Sequence, residues 1–304
     1  MMSRLFPFAA AVALLCAEAR GIIFASTGDP TFNTTEPTGA YADSGWQFEG
    51  HWNGFLATPI SPQYFIAASH IGGAIGGTFE FQGATYVTDS TVTISGTDLA
   101  LWHVTSTFPT YAPLYRKGNE VGKELVVFGA GTQRGGDVLV AGSLHGWFWG
   151  PGDGVQRWGT NSVASTSTSS IYGNIFTATF TPGNTPFEAH LSVGDSSGGI
   201  FIKDNDGTWK LAGINLGVSG PYYTSILGEG GFNAALFDQS GFFEQSGKIY
   251  VPVTGPGSFT ASRISTNVAA IDAITSAPEP TAAVAFACGI ASMSCMRLRR
   301  RTAA

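Results

Sequence analysis

The segment of this chain richest in residues that could do chemistry is Gly194-Asp195-Ser196-Ser197-Gly198-Gly199, in which two serines stand among glycines. A serine hydroxyl becomes a useful nucleophile when a neighbouring base removes its proton. In the Gly-x-Ser-x-Gly elbow of α/β-hydrolases that base is a histidine downstream of the serine. The Gly-Asp-Ser arrangement of SGNH esterases needs a downstream histidine as well. Both arrangements are excluded, because all five histidines precede the serines: His51, His70, His103, His145 and His190.

A histidine and an aspartate upstream of this segment each lie at the end of a short apolar run, where a catalytic base and its partner acid could be held. His70 follows the apolar run 64–68 and Ser69, and Asp98 enters the apolar run 99–101. In such a pair the histidine takes the proton of the serine and returns it to the leaving group, while the aspartate fixes the imidazole tautomer. The chain order His, Asp, Ser therefore predicts acyl transfer through a serine nucleophile.

These three blocks, in this order, resemble the trypsin-like, chymotrypsin-fold serine proteases over roughly residues 45–220. The resemblance implies a serine endopeptidase that cleaves protein or peptide substrates through an acyl-enzyme intermediate, with no cofactor and no metal ion. It assigns His70 as the base, Asp98 as its partner and Ser196 as the nucleophile. It also places the oxyanion hole at the backbone N–H groups of Gly194 and Ser196. Compared with the family, Ser69 replaces an alanine and no cysteine follows His70, and neither change touches the proton chemistry.

The identity of the nucleophile has an alternative, because the family pattern is Gly-Asp-Ser-Gly-Gly-Pro. Counting from the front selects Ser196, keeps Gly194 in the oxyanion hole, and puts Ser197 and Gly199 where glycine and proline are usual. Counting back from the last two glycines selects Ser197, but it puts Asp195 where the oxyanion glycine should be. The first count is favoured, and Ser197 stays open as the alternative.

The substrate pocket is harder to read from the sequence. With Ser196 as nucleophile, the family's position at the base of the pocket falls at His190, with Glu188 nearby and no aspartate as in a trypsin. Cleavage after Lys or Arg is therefore not expected. In many family members a new N-terminus pairs with the aspartate before the serine, and Ile22-Ile23 could supply that partner for Asp195.

Short strands are the elements that must position these residues. Of 304 residues, 43% are hydrophobic, only 12% are charged and 41 are glycine, which favours strands with tight turns over surface helices. Residues 78–81 and 91–94 alternate with period two, whereas Asn53-Gly54 and residues 204–207 predict hairpin turns. Residues 160–170, rich in Ser and Thr, predict an exposed loop. We predict an all-β domain over residues 20–277, which the resemblance makes a double six-stranded antiparallel β-barrel, with apolar helices at the two termini.

The N-terminal residues 1–19 have the pattern of a secretory signal peptide. Arg4 gives the positive start, residues 5–16 are apolar, and Ala17-Glu18-Ala19 is a small-x-small cleavage site. This pattern predicts export.

The C-terminal residues 278–304 combine Pro278-Glu279-Pro280, an apolar stretch over 281–296 and an arginine cluster over 297–301. This order resembles the PEP-CTERM sorting signal of Gram-negative bacteria. The resemblance implies recognition by an exosortase-type enzyme, transient membrane association, and delivery to the cell envelope, the surface or the medium. A plain C-terminal membrane anchor is the alternative.

Between its two ends the chain is acidic and free of cysteine. Nineteen acidic and nine basic residues give this part a net charge of -10, and Cys16, Cys288 and Cys295 all lie in the end segments. An acidic surface repels phosphate backbones, so a nucleic-acid partner is not expected. Two other functions stay open: a catalytically inactive protease-fold protein that binds matrix polysaccharide or protein, and a β-sandwich adhesin without a triad.

Overall fold

The computed structural model describes residues 21–276. The predicted signal peptide, the predicted sorting segment and the terminal apolar helices lie outside the described residues. No helix within 21–276 is long and apolar enough to cross a membrane.

Short 3-10 helices cover Gly39–Tyr41, Trp46–Phe48 and Ser69–Ile71. The strands and the helix are β1 (Ile23–Phe24), β2 (Gly50–Trp52), β3 (Phe55–Pro59), β4 (Tyr64–Ala68), β5 (Thr78–Phe81), β6 (Ala84–Thr93), β7 (Leu99–Val104), β8 (Glu124–Gly129), β9 (Thr132–Val140), β10 (Ser143–Gly152), β11 (Arg157–Ser169), β12 (Gly173–Thr179), β13 (Ala189–His190), β14 (Gly199–Lys203), β15 (Trp209–Val218), β16 (Tyr222–Tyr223), β17 (Ala234–Leu236), β18 (Phe243–Ser246), β19 (Ile249–Pro252), β20 (Ser258–Arg263) and α1 (Val268–Thr275).

Twelve of these strands form two closed antiparallel barrels of six strands each. The first barrel has the order β2-β3-β4-β7-β6-β5, and the second has the order β11-β12-β20-β15-β14-β8. Closure removes the exposed sheet edges that short strands would otherwise present. This architecture is the chymotrypsin-like double barrel, so the predicted fold class is confirmed.

The strands follow from local sequence patterns. In β5 the side chains alternate between exposed and buried, as the period-two pattern predicts, and β7 is buried along its whole length. Asn53 and Gly54 have φ values of +49° and +84°, which a tight two-residue hairpin between β2 and β3 requires. The expectation of a loop over residues 160–170 is wrong. Residues up to 169 continue β11, because they pair with β8 and then with β12. Thr160 is buried, whereas the Ser and Thr residues from 162 to 168 face solvent.

Aromatic side chains fill the first barrel and extend the core across the interface between the barrels. Inside the first barrel the rings of Phe65 and Phe79 stack at 4.2 Å. At the interface the ring centroid of Phe201, in β14, lies 6.2 Å from that of Phe48 and 5.7 Å from that of Phe128. Buried residues of both barrels belong to one continuous apolar cluster. The two barrels are therefore packed as one unit along the line where their catalytic candidates meet.

Besides the two-stranded sheet of β1 and β13, two small three-stranded sheets are added to the barrels. The hairpin β9–β10 pairs with β17, and β16, β18 and β19 form the other sheet. The hairpin β9–β10 lies in the long connection between β8 and β11, whereas β16, β17, β18 and β19 all lie in the long connection between β15 and β20. Each sheet has buried apolar residues of its own, including Val138, Tyr222 and Trp147. Because β10 returns toward the second barrel, it brings additional side chains to the site described below.

Candidate active site

His70 and Asp98 are brought together by the pairing of two neighbouring strands. His70 lies in the 3-10 helix that follows β4, Asp98 immediately precedes β7, and the register pairs Ala68 with Leu99. The Asp98 carboxylate accepts a hydrogen bond from the His70 backbone amide at 2.9 Å and lies 2.6 Å from His70 Nδ1. Asp98 is buried, whereas the imidazole side chain is 39% exposed. The carboxylate can thus orient the ring while the other ring nitrogen faces an open cleft.

Ser196 reaches the same cleft from the second barrel. It lies in the loop before β14, and its Oγ is 2.9 Å from His70 Nε2. The chain Asp98–His70–Ser196 is therefore continuous, with a carboxylate on Nδ1 and a hydroxyl on Nε2. This arrangement can move a proton from the hydroxyl to the ring and stabilise the resulting imidazolium.

Ser197, the alternative nucleophile, has its hydroxyl engaged elsewhere. Its side chain is fully buried, and its Oγ accepts a hydrogen bond from the Ala68 amide at 2.9 Å. Its φ of +69° lies in the left-handed region that favours glycine, the residue usual at this position in the family it resembles. The geometry thus joins His70 to Ser196 and not to Ser197.

The loop before β14 is shaped by glycines and by its own hydrogen bonds. Gly194 has a φ of +92°, and the Ser197 amide donates to the Asn215 carbonyl at 3.0 Å. A Cβ on Gly198 would overlap the carbonyl oxygen of Phe128, so the loop lies directly against β8. Within residues 21–276 the amides of Gly194 and Ser196 donate to no protein acceptor. They are the two amides that the sequence predicts for an oxyanion hole.

Asp195 is a buried carboxylate held by three donors. Its oxygens accept hydrogen bonds from the Gly131 amide at 2.7 Å, the Ser192 amide at 2.7 Å and the Ser192 hydroxyl at 3.0 Å. Burial outweighs these donors and raises the pKa of Asp195 to about 8. The segment that could supply an N-terminal partner runs close by, since the Gly21 carbonyl oxygen lies 2.9 Å from the Ser192 Oγ. Ile23 itself is buried in β1, opposite His190 of β13.

A pocket of about 210 Å³ opens beside Ser196. Two segments that flank the nucleophile loop, residues 191–193 and 215–218, supply most of its walls, and β10 adds an indole ring. Four of the lining residues have apolar side chains: Trp149, Leu191, Val193 and Val218. The lining residues are Trp149, Leu191, Ser192, Val193, Asp195, Ser196, Asn215, Gly217 and Val218. Two of the polar residues on its walls, Ser192 and Asp195, are hydrogen-bonded to each other.

The structure places His190 differently from the sequence-based expectation. His190 is fully buried, does not line the pocket, and has its Nδ1 2.6 Å from the Leu191 carbonyl. Burial lowers the pKa of His190 to about 4, so the ring is neutral at neutral pH. Glu188 is buried as well and accepts a hydrogen bond from the Thr181 amide at 3.3 Å. The pairing of β13 with β1 places His190 opposite the buried Ile23, which keeps the His190 side chain inside the protein.

Some residues of the site carry no recognisable sequence signal. Trp149 comes from an added hairpin, and its role as a pocket wall depends on where β10 is placed. Asn215 donates its side-chain amide to the carbonyls of Phe128 and Asp195, both at 2.8 Å, which fixes the base of the nucleophile loop. Within residues 21–276 no three His, Cys, Asp or Glu side chains form a group that could hold a metal ion.

No family model matches the chain, and no curated protein matches it. Among solved structures it is similar to neuropsin, a serine protease expressed in the limbic system of mouse brain. That match has 11% sequence identity and a TM-score of 0.46, and covers 76% of this chain and 96% of neuropsin. It is also similar to the passenger domain of plasmid encoded toxin, an autotransporter enterotoxin from enteroaggregative Escherichia coli. There the identity is 15% and the TM-score 0.43, and the match covers 70% of this chain but only 21% of the passenger domain. The two closed six-stranded barrels themselves define the fold of this chain as chymotrypsin-like.

Proposed function

We propose that this chain is an exported serine endopeptidase that hydrolyses peptide bonds through an acyl-enzyme intermediate. The observation that carries the proposal is the continuous hydrogen-bonded chain from Asp98 through His70 to Ser196, at 2.6 Å and 2.9 Å. It sits on a chymotrypsin-like double barrel, with an open imidazole and a substrate-sized pocket beside the serine.

In the proposed reaction Ser196 Oγ attacks the carbonyl carbon of the scissile peptide bond while His70 Nε2 takes the hydroxyl proton. The carbonyl oxygen becomes an oxyanion, which the amides of Gly194 and Ser196 stabilise by hydrogen bonds; one such donor typically contributes about 10²–10³ in rate. His70 then returns the proton to the leaving amine as the C–N bond breaks, which produces the acyl-enzyme. Water repeats the sequence, activated by the same imidazole, and releases the carboxylic acid.

The pocket beside Ser196 supports an apolar side chain on the acyl side of the cleaved bond. Trp149, Leu191 and Val218 form apolar walls, and no free charged group lines the cavity within the described residues. Asp195 is buried and engaged with three donors, so it has little capacity to neutralise a substrate cation. A charged substrate group would lose its hydration there without gaining a partner, which disfavours both Lys or Arg and Asp or Glu.

The end segments complete the proposal. Residues 1–19 direct export, and residues 278–304 act as a sorting segment that an exosortase-type enzyme recognises at the membrane, which leads to the cell envelope or surface. The sequence patterns quoted above support this proposal.

A fluorophosphonate probe, which modifies an activated serine irrespective of substrate preference, tests the function directly. We expect it to label the folded wild-type protein, with the adduct mapped by mass spectrometry to Ser196, and not to label Ser196→Ala or His70→Ala. An adduct on Ser197 would instead select the other register. A folded wild-type protein that resists the probe would contradict the protease proposal and favour a non-cleaving surface protein.

A further inference from the structure

The distance between base and nucleophile in this protein is a distance between two barrels. His70 and Asp98 belong to the first barrel, whereas Ser196 belongs to a loop of the second. A displacement of about 1 Å between reacting groups can lower a rate about 10²-fold. Contacts that join the nucleophile loop to the first barrel therefore bear directly on the rate.

One such contact comes from Ser197. Its hydroxyl accepts a hydrogen bond from the amide of Ala68, the last residue of β4, at 2.9 Å. Ser197 is the residue after the nucleophile, and Ala68 is two residues before His70. Glycine, usual at this position in the family that the sequence resembles, has no hydroxyl to offer.

A second contact lies two residues further along the chain. The Gly199 amide donates to Glu49 Oε1 at 3.2 Å, and the same oxygen accepts a hydrogen bond from the Thr58 hydroxyl at 3.1 Å. Glu49 is buried where the first barrel begins, and its other oxygen has no partner within residues 21–276. Proline, usual at position 199 in the family, has no amide N–H to donate. Both contacts thus depend on the two departures of this chain from the family pattern.

We propose that Ser197 and Glu49 are positioning residues that hold the nucleophile loop against the first barrel and thereby set the distance between His70 and Ser196. The two hydrogen bonds, Ala68–Ser197 and Gly199–Glu49, form what we call the loop clamp. They flank Gly198, whose close contact with Phe128 of β8 constrains the same stretch of backbone. The proposal rests on the proposed endopeptidase function for its catalytic readout.

Four variants separate positioning from general stability. Ser197→Gly removes the acceptor and also relieves the backbone strain of a φ of +69°. Glu49→Leu removes the other acceptor, whereas Glu49→Gln keeps a side-chain oxygen for Gly199 and Thr58. Ser262→Ala is the matched control, because Ser262 is equally buried, lies in β20 and has a hydroxyl outside the clamp.

The measurement is the turnover of a peptide substrate with an apolar residue before the cleaved bond, corrected for the concentration of titrated active sites. We expect Ser197→Gly and Glu49→Leu each to lower kcat about tenfold with little change in KM, because the pocket walls come from other segments. Glu49→Gln and Ser262→Ala should keep the wild-type kcat. Ser197→Gly should unfold at a temperature close to that of the wild type, because relief of the positive φ offsets much of the cost of the lost hydrogen bond. Wild-type kcat in both Ser197→Gly and Glu49→Leu would overturn the clamp, as would losses that follow the unfolding temperature alone.

Hydrogen exchange of the Ala68 amide tests the clamp without requiring activity. We expect this amide to exchange at least about tenfold faster in Ser197→Gly than in the wild type, because it loses its acceptor in a buried position. Equal exchange in the two proteins would overturn the clamp whatever the fluorophosphonate result. Absence of labelling in a wild type whose Ala68 amide is protected would instead count against the endopeptidase function.

Discussion

Ser192 and Asp195 are joined by two hydrogen bonds to one carboxylate oxygen, from the Ser192 amide at 2.7 Å and from its hydroxyl at 3.0 Å. Together with the Gly131 amide on the other oxygen, they give the Asp195 carboxylate three donors from residues within the folded domain. Because burial raises the pKa of Asp195 to about 8, the group is largely uncharged near neutral pH and needs no α-ammonium group to balance its charge. The nucleophile loop is held in place by the domain itself.

The first prediction is that the reactivity of Ser196 does not depend on a free N-terminus. Protein that begins at Gly21 and protein that carries additional residues before Gly21 should react with fluorophosphonate at the same rate, because Asp195 has its donors in both. The second-order inactivation rate of the two forms is the measurement. A loss of labelling in the extended form would show that the new N-terminus is required.

Asp195→Asn tests the hydrogen-bonding role of Asp195 on which that prediction depends. An amide in place of the carboxylate would direct N–H donors at groups that are themselves donors. Leaving buried donors without acceptors should lower the free energy of unfolding by about 1–3 kcal/mol. Denaturant unfolding measures this loss, and an unchanged stability would contradict the hydrogen-bonding role given to Asp195.

The sequence predicts the parts of this protein that depend on short stretches of chain. The alternation in β5, the Asn53-Gly54 hairpin and the order of the His70, Asp98 and Ser196 blocks can all be read locally. The double barrel follows from the resemblance of those blocks to a family. The fold that this resemblance implies also predicts that His70, Asp98 and Ser196 lie close together.

The remainder depends on contacts between residues distant in sequence. Gly199 and Glu49 are 150 residues apart, and no local pattern indicates that they meet. His190 falls at the predicted position in the chain, yet pairing of β13 with β1 turns its side chain inward. Trp149 reaches the pocket through a hairpin whose placement depends on pairing with β17. Side-chain direction and added sheets are set by tertiary packing, which a single sequence does not display.

A second prediction concerns the indole wall of the pocket. Replacing Trp149 with alanine should enlarge the cavity and shift the preference toward larger side chains. We expect the ratio of kcat/KM for a phenylalanyl over a valyl substrate to rise about tenfold, within the range that hydrophobic pockets achieve for small differences in size. Phe148→Ala is the control, because Phe148 packs on Phe232 and is not part of the pocket lining. An unchanged ratio in Trp149→Ala would remove Trp149 from the specificity site.

A third prediction concerns stability and pH. Burial raises the pKa of Glu49 to about 8, compared with about 4.3 in an unfolded chain. Between these values the folded protein holds a proton that the unfolded chain has released, so the free energy of unfolding falls as pH rises. The contribution of Glu49 has a limiting slope of about 1.4 kcal/mol per pH unit and levels off above its folded pKa.

Glu49→Gln isolates this contribution, because glutamine does not ionise. The stability of the variant relative to the wild type should increase from pH 5 to pH 8, as measured by denaturant unfolding at each pH. The contributions of Asp195 and Glu188, whose pKa values burial also raises, to about 8 and about 7, cancel in the comparison. A stability difference that is constant with pH would show that Glu49 ionises normally in the folded protein.

The last prediction concerns Gly198, which lies two residues after the nucleophile. A Cβ at this position would overlap the carbonyl oxygen of Phe128 and lie 2.9 Å from the side-chain nitrogen of Asn215. Both neighbours are held in place, since Asn215 donates to that same carbonyl. Gly198→Ala must therefore move the loop, and a shift of this kind should lower the fluorophosphonate labelling rate about 10²-fold.

Gly207→Ala is the matched control, because Gly207 has a φ of +83° and a Cβ added there would meet open space. This control should lose about 1 kcal/mol of stability and keep the wild-type labelling rate. If Gly198→Ala were labelled as fast as Gly207→Ala, the close contact between the nucleophile loop and β8 would have no part in placing Ser196.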